Sequence, residues 1–140
     1  MSYAELETMM NKKSGVQGLT DISSDMRDID RAYEEGNPRA ILARDMYYRR
    51  IKKFVGEYAA EMGGVDLIVF TGGVGENSSD MRESVCTGLE FMGVKFDPEA
   101  NRGARGVNKL LSKADSKVKV AVIATDEELM IATDTYNLVK

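Results

Sequence analysis

The stretch DLIVFTGGVGENSSDMRESV, residues 66–85, restricts the possible folds of this chain more than any other. A short apolar run ends at the glycine-rich turn TGGVG, and an Asn-Ser pair then opens a predicted helix. Because glycine has no side chain, such a turn can adopt positive φ and let a flat ligand approach the backbone closely. Many turns of this kind connect a strand to a helix without binding anything, and the spacing leaves both interpretations open.

The turn matches neither of two common phosphate-binding motifs. No Gly-Lys-Ser/Thr follows the glycines, which excludes a P-loop. In the dinucleotide fingerprint a third glycine stands where this chain has Ser78. A ligand at this turn would therefore meet backbone amides and the side chain of Asn77 or Ser78 at the start of the predicted helix.

The order of the predicted elements indicates the fold class. Helices are predicted over 3–12, from about 25 to 36 and over 38–62, followed by strand 66–70, a helix from 81, strand 118–124 and a last helix from 126. Strands that alternate with helices are typical of an α/β layer arrangement. We predict a single domain over 1–140 with a small, mostly parallel sheet and a long-helix insertion.

Caps and periodicity refine these boundaries. Ser2 and Glu5 form a capping box, which predicts that Leu6, Met9 and Met10 face inward on the first helix. Asn37-Pro38 is a strong start signal for the long helix. The glycine- and hydroxyl-rich segment 14–24 is predicted to be a loop, and 97–116 is predicted to wind over the surface.

Composition excludes several classes of function. The 140 residues carry a net charge of -4 with both signs mixed, so we expect no nucleic-acid partner. No apolar run reaches membrane-spanning length, and the single cysteine, Cys86, favours a reducing, cytoplasmic setting. There is no histidine, so any chemistry must use carboxylates, Arg, Lys, hydroxyls and backbone amides. A bound cation would be a hard one such as Mg²⁺.

Two further segments could carry chemistry. In SSDMRD, residues 23–28, Asp25 and Arg27 could hold a ribose hydroxyl and a phosphate oxygen, but Ser23 or Ser24 could equally cap an ordinary helix. In TDEE, residues 125–128, the spacing predicts that Thr125 and Glu128 form a capping box. That leaves acids at the carboxyl end of a buried strand, where open α/β sheets bind ligands, although acids in a first helical turn are also simply stabilising.

Together the motifs resemble one family. The runs NKKSGVQGLTDISSDMRDI (11–29), VFTGGVGENSSDMRESV (69–85) and VAVIATDEELMIATDT (120–135) are similar, in order and separation, to the carboxyl-terminal third of acetate kinases. FTGGVGENS is specific to the acetate/butyrate kinase group within the actin-like, sugar-kinase and Hsp70 fold superfamily. The NKKSG segment favours acetate kinase over butyrate kinase.

The resemblance implies site residues. The nucleotide-contacting triplet falls on Asp25, Met26 and Arg27. The residues that would form the adenosine pocket are Gly73, Val74, Gly75, Glu76 and Asn77. The glutamate linked to magnesium in the family maps to Glu127, an assignment that agrees with Glu128 acting as a cap. Asp126 replaces the asparagine that is usual in the family.

The resemblance also implies a reaction, the transfer of a phosphoryl group between ATP and acetate with Mg²⁺. In the family the acetate pocket, the transition-state arginines, a catalytic Asp and a His lie earlier in the chain, so no catalytic residue is expected here. We expect the nucleotide-binding side of an acetate kinase that forms a homodimer, with acetate bound by an amino-terminal domain and with no activity from this piece alone. The alternatives are a butyrate kinase-type fragment and a non-catalytic nucleotide-binding or dimerisation module.

Overall fold

The computed structural model describes all residues from 1 to 140, and they form two compact units. The first unit spans Met1–Glu61 and the second spans Met62–Lys140. The first is entirely helical, whereas the second contains the sheet. The division falls directly after the long helix and just before Gly63-Gly64, both of which have positive φ. The sequence pattern does not indicate this division, and the prediction of a single domain stays a prediction.

The first unit consists of four helices: α1 (Tyr3–Lys12), α2 (Gly15–Thr20), α3 (Met26–Glu34) and α4 (Pro38–Glu61). The start signal of α4 is confirmed, because Asn37 Oδ1 accepts hydrogen bonds from the amides of Arg39 and Ala40. A small core forms where α3 meets α4. It contains the buried residues Ile29, Ala32 and Ala40, with the partly buried Val16 and Met26 packed against them.

Two predictions for this unit are wrong. The capping box of α1 is present, but Leu6, Met9 and Met10 are exposed and α1 has no buried residue. Periodicity identifies an apolar face without supplying a surface to cover it. The segment 14–24, predicted to be a loop, contains α2. Glycine and threonine lower helix propensity, but α2 packs against α4 and buries Thr20, which outweighs that weak preference.

The second unit is built on a three-stranded sheet in the order β1-β3-β2, formed by β1 (Leu67–Phe70), β2 (Lys109–Leu110) and β3 (Lys119–Val122). β1 and β3 are parallel, with Phe70 opposite Val122, while β2 pairs antiparallel with β3. The sheet is therefore mixed. The central strand, β3, is almost completely buried, which explains its continuous apolar sequence.

This unit also contains four helices and a 3₁₀ turn (Glu90–Met92). The helices are α5 (Gly72–Asn77), α6 (Ser79–Cys86), α7 (Pro98–Asn101) and α8 (Glu127–Val139). The glycine-rich segment is itself a short helix, α5, rather than an open turn. The segment 97–116 is more ordered than predicted, because it contains α7 and β2. Around residues 94–96 the chain forms only isolated bridges, Val94 with Val118 and Phe96 with Ser112.

None of these helices combines the length and the apolar character needed to cross a bilayer.

Candidate functional site

The carboxyl ends of β1 and β3 lie side by side at one edge of the sheet. The register pairs Phe70 with Val122, and the amide of Ile123 donates to the Phe70 carbonyl at 2.9 Å. A pocket of about 430 Å³ opens between the segments that follow the two strands. Its lining residues are Gly72, Gly73, Glu76, Thr125, Asp126, Glu127 and Glu128. Of the residues that the sequence singled out, Gly73, Glu76 and Glu127 therefore meet in one pocket.

The three glycines of α5 differ in what requires them. Gly72 has a φ of +69°, which disfavours any other residue. Gly75 is buried, and a Cβ there would lie 3.2 Å from the carbonyl carbon of Phe70, so this glycine permits close packing of α5 on the end of β1. Gly73 has neither constraint: its φ is not positive, an added Cβ would meet nothing within 4 Å, and it is exposed in the pocket.

Glu76 connects the two segments that line the pocket. Its Oε1 accepts hydrogen bonds from the Gly72 amide at 2.9 Å, the Thr125 amide at 2.8 Å and the Thr125 hydroxyl at 2.8 Å. The bonds from Thr125, followed by the bond from the Gly72 amide, hold the pKa of this carboxyl below its ordinary value. Glu76 is therefore a carboxylate that the chain already binds through Oε1.

Arg82 is a buried side chain that donates hydrogen bonds to α5, and the sequence analysis did not identify it. It is fully buried, and its guanidinium donates to the carbonyls of Gly75 (2.7 Å), Glu76 (2.9 Å) and Ala104 (2.6 Å) and to Asn101 Oδ1 (2.8 Å). All four acceptors are neutral. Burial lowers the pKa of the guanidinium, although arginine remains charged in proteins.

With Arg82 in place, four successive carbonyls of α5, from Gly73 to Glu76, accept hydrogen bonds. Arg82 serves the carbonyls of Gly75 and Glu76, the Asn77 amide group serves that of Gly73 at 2.8 Å, and the Ser78 amide serves that of Val74 at 3.0 Å. The last four carbonyls of a helix otherwise lack partners within it. This six-residue, glycine-rich helix is thus stabilised by hydrogen bonds from side chains in addition to its backbone hydrogen bonds.

Asn77 does not line the pocket, nor do Val74 and Gly75. The Asn77 side chain donates to the Gly73 carbonyl and accepts from Arg105 Nε at 2.9 Å. Ser78 rather than Asn77 caps the following helix, accepting from the Met81 amide at 3.2 Å. Asn77 therefore ends α5 instead of opening α6.

The start of α8 differs from the predicted cap. Asp126, not Thr125, is the N-cap residue, and its side chain accepts from the Leu129 amide at 2.9 Å. The Thr125 hydroxyl instead donates to Glu76 Oε1, and its oxygen accepts from the Thr71 hydroxyl. Glu128 consequently has no capping role, so the predicted Thr125–Glu128 capping box is wrong. The carboxylates of Glu127 and Glu128 form no hydrogen bond or ion pair within the chain.

The pocket contains four carboxylates but no ready-made metal cage. Glu76 and Asp126 each use an oxygen to bind the chain, and no group of three or more His, Cys, Asp or Glu residues could hold a metal ion alone. Mg²⁺ is usually bound by one or two protein carboxylates, with waters and substrate phosphates completing the shell. The uncommitted Glu127 and Glu128 fit that pattern.

Asp25, Met26 and Arg27 lie in the first unit. Asp25 is the N-cap of α3, accepting from the Arg27 amide at 2.9 Å, so neither Ser23 nor Ser24 caps this helix. Its carboxylate also pairs with the Arg27 guanidinium, which lowers the pKa of Asp25 to about 2 and raises that of Arg27. Met26 packs partly buried against the core of the unit.

Sequence reasoning missed Arg82, Arg105, Asn101 and the clamping role of Thr125. A signal for Arg82 was present, because it precedes Val85 and Cys86 by three and four residues on the buried stripe of α6. No local pattern marks Arg105 or Asn101, which reach α5 or α6 from a distant part of the chain.

Solved structures place this architecture in a class. The chain superimposes on Porphyromonas gingivalis acetate kinase with a TM-score of 0.92 and 55% identity, covering all of this chain and 35% of that one. A propionate kinase from Francisella tularensis matches with a TM-score of 0.80 and 34% identity, over 94% of this chain and 33% of that one. The fold is thus the α/β fold of these kinases.

The chain belongs to the acetokinase family, whose model matches residues 1–133. Among curated relatives, the acetate kinase of Bacteroides thetaiotaomicron is 58% identical over 135 residues, which cover 96% of this chain and 34% of that protein. The chain spans about a third of the length of the curated relatives it matches. The resemblance drawn from the three motifs is confirmed.

Proposed function

We propose that this chain supplies the nucleotide-binding side of an acetate kinase, which transfers a phosphoryl group between ATP and acetate to give ADP and acetyl phosphate. Phosphoryl transfer depends on the placement of its reactants and on neutralisation of phosphate charge. The pocket at the ends of β1 and β3 is suited to the nucleotide part of that task. On this proposal the 140-residue chain has no kinase activity alone.

The observation that carries the proposal is Gly73. The conformation of Gly72 and the close packing of Gly75 explain those two glycines within the chain, but nothing in the chain requires glycine at 73. It is exposed in the pocket beside Glu127 and Glu128. A ligand that approaches the bare backbone at this point accounts for it, and adenosine is the ligand that the family resemblance assigns to this segment.

Magnesium completes the proposal. When bound, it would neutralise charge on the nucleotide phosphates, and a pocket lined by four carboxylates would otherwise repel them. We propose Glu127 as the magnesium ligand on the family resemblance alone, because Glu128 has no capping role and is equally available.

We also propose acetate as the preferred acid, a cytoplasmic location and a homodimer. Acetate as the acceptor rests on the NKKSG segment and the family resemblance, because identity does not separate the acids: an acetate kinase and a propionate kinase are each 34% identical to this chain. A homodimer and a cytoplasmic location follow from the family resemblance and from the single free cysteine respectively.

Calorimetry with ADP and Mg²⁺ tests the proposal. We expect weak binding by the 140-residue chain, with a Kd of about 1 mM. Glu127→Gln should weaken this binding about tenfold, since it removes one charged metal ligand. Glu128→Gln is the matched control, because it removes the same charge one residue further along the helix. Equal losses in both variants would contradict a specific role for Glu127.

Activity is tested separately, by measuring acetyl phosphate formation from ATP and acetate. We expect none from the purified 140-residue chain. Turnover that rises in proportion to the concentration of this chain and disappears in Glu127→Gln would show that the chain needs no further segment, against the proposal.

A further inference from the structure

We infer that Glu76 is a positioning residue that fixes the start of α8, and with it Glu127 and Glu128, against the glycine segment. This rests on the proposed function, and it gives Glu76 a role other than the nucleotide contact that the family resemblance implies. The structure supports it through the hydrogen bonds of Glu76, the proton arrangement at Thr125 and the exposure of α8.

The hydrogen bonds of Glu76 are directed into the chain. Oε1 alone accepts three, from two donors on Thr125 and one on Gly72. A carboxylate oxygen has about two lone-pair sites, so this oxygen has no further capacity for a ligand. Bonds to an ionised acceptor are roughly twice as strong as neutral ones, which suits a role as a clamp.

The proton arrangement at Thr125 extends the clamp to β1. A threonine hydroxyl has one hydrogen, and here it is directed to Glu76 at 2.8 Å. Thr125 Oγ1 therefore acts as acceptor for its other contacts, the Thr71 hydroxyl at 2.8 Å and the Gly72 amide at 3.2 Å. The residues that follow β1 and β3 are thus connected through a single ordered network.

Because α8 is exposed, this hydrogen-bond network has a large influence on the positions of Glu127 and Glu128. No residue of α8 is buried, so core packing does not fix the helix. Thr125 directly precedes the cap residue Asp126, and Glu127 is the first residue of the helix. The hydrogen bonds at Thr125 therefore decide where the two uncommitted carboxylates lie relative to Gly73.

The experiment compares Mg·ADP binding, by calorimetry, across five single variants of the 140-residue chain, one of them a control, and one double variant. Glu76→Ala should weaken binding about tenfold, and Thr125→Val should weaken it between about three- and tenfold. Glu76→Gln and Thr125→Ser keep an acceptor and a hydroxyl, so both should stay within about threefold of the wild type. The double variant Glu76→Ala/Thr125→Val should be no weaker than Glu76→Ala by more than about twofold, because both changes break one network.

A direct charge contact from Glu76 to the ligand predicts the opposite pattern. Glu76→Gln would then be as damaging as Glu76→Ala, and the losses of the double variant would multiply; either result overturns the inference. Thr133→Val is the matched control. Its hydroxyl donates only to the Leu129 carbonyl within α8, so its loss should leave binding unchanged.

Amide hydrogen exchange separates this inference from the proposed function. If the wild type binds no Mg·ADP, the proposed function of the isolated chain fails, but the clamp can still be measured. Glu76→Ala should then increase exchange at the Gly72 and Thr125 amides and through the first turn of α8, whereas Thr133→Val should not change exchange there. Unchanged exchange in Glu76→Ala at these amides overturns the inference, whatever the binding result.

Discussion

Two arginines at the starts of helices, Arg27 and Arg82, have opposite surroundings. The Arg27 side chain is 88% exposed and pairs with Asp25, two residues away. Arg82 has no exposed surface and donates to four neutral acceptors, two of them carbonyls of α5. The motif SSDMRD directs attention to Arg27, but Arg82 holds the glycine segment that lines the pocket. An arginine's contribution to a site therefore depends on which acceptors its donors satisfy, and short sequence spacings do not reveal this.

The largest effect is expected from Arg82→Met, which should lower the free energy of unfolding by about 3 kcal/mol or more. The change keeps much of the volume but leaves buried carbonyls and Asn101 without donors, at roughly 1–3 kcal/mol for each unsatisfied group. Urea denaturation followed by circular dichroism measures it. A loss below about 1 kcal/mol would mean that water replaces the guanidinium and that the contrast with Arg27 is overstated.

The two inner glycines of α5 should respond differently to alanine. Gly75→Ala should destabilise the chain by about 1–3 kcal/mol, since the new methyl would crowd the Phe70 backbone. Gly73→Ala should leave stability unchanged or raise it by about 0.4–1 kcal/mol, because its conformation and surroundings accept a side chain. Thermal unfolding gives both values.

Mg·ADP binding by Gly73→Ala tests the proposed role of this glycine in the pocket. Gly73→Ala should weaken Mg·ADP binding despite its intact stability, because a ligand that approaches the backbone would meet the new methyl. Unaltered binding by Gly73→Ala would contradict the role that we propose for this position.

Asp25→Asn should change the acid dependence of stability. The pKa of Asp25 is lowered to about 2 from an ordinary value of 3.8, so its carboxylate contributes stability above pH 3.8 that is lost as the pH falls toward 2. Asparagine is also a good N-cap and does not titrate, so the variant should lack this component while it retains most of the capping at neutral pH. Unfolding free energies measured between pH 2 and 5 test this, and parallel curves for the two proteins would contradict it.

The smallest effect on stability is expected from Arg27→Ala, because exposed ion pairs contribute little. If Arg27 contacts the nucleotide, as the family resemblance implies, the same variant should clearly weaken Mg·ADP binding. Arg31→Ala, which removes another exposed arginine of α3, is the control for net charge. Equal binding by both variants would remove Arg27 from the site.

The sequence predicted elements wherever local signals were strong. The Asn37-Pro38 start of α4, the capping box of α1 and the buried strand β3 were all correct, because caps and apolar runs act over a few residues. The predictions for 14–24 and for the glycine segment failed, since packing and distant donors outweighed low helix propensity in α2 and α5. The choice of Thr125 as a cap failed because Glu76, 49 residues away, binds its hydroxyl.

By itself, the sequence determined the family and the approximate positions of α1, α3, α4, β1, α6, β3 and α8, since caps, apolar runs and motifs depend on neighbouring residues. Tertiary structure alone decided which acids are free, because Glu76 is occupied by Thr125 and Gly72 while Glu127 and Glu128 have no partner. It also decided which glycine serves packing and which is open, through the distance between Gly75 and Phe70. Those differences arise from contacts between residues far apart in the chain, and no local spacing encodes them.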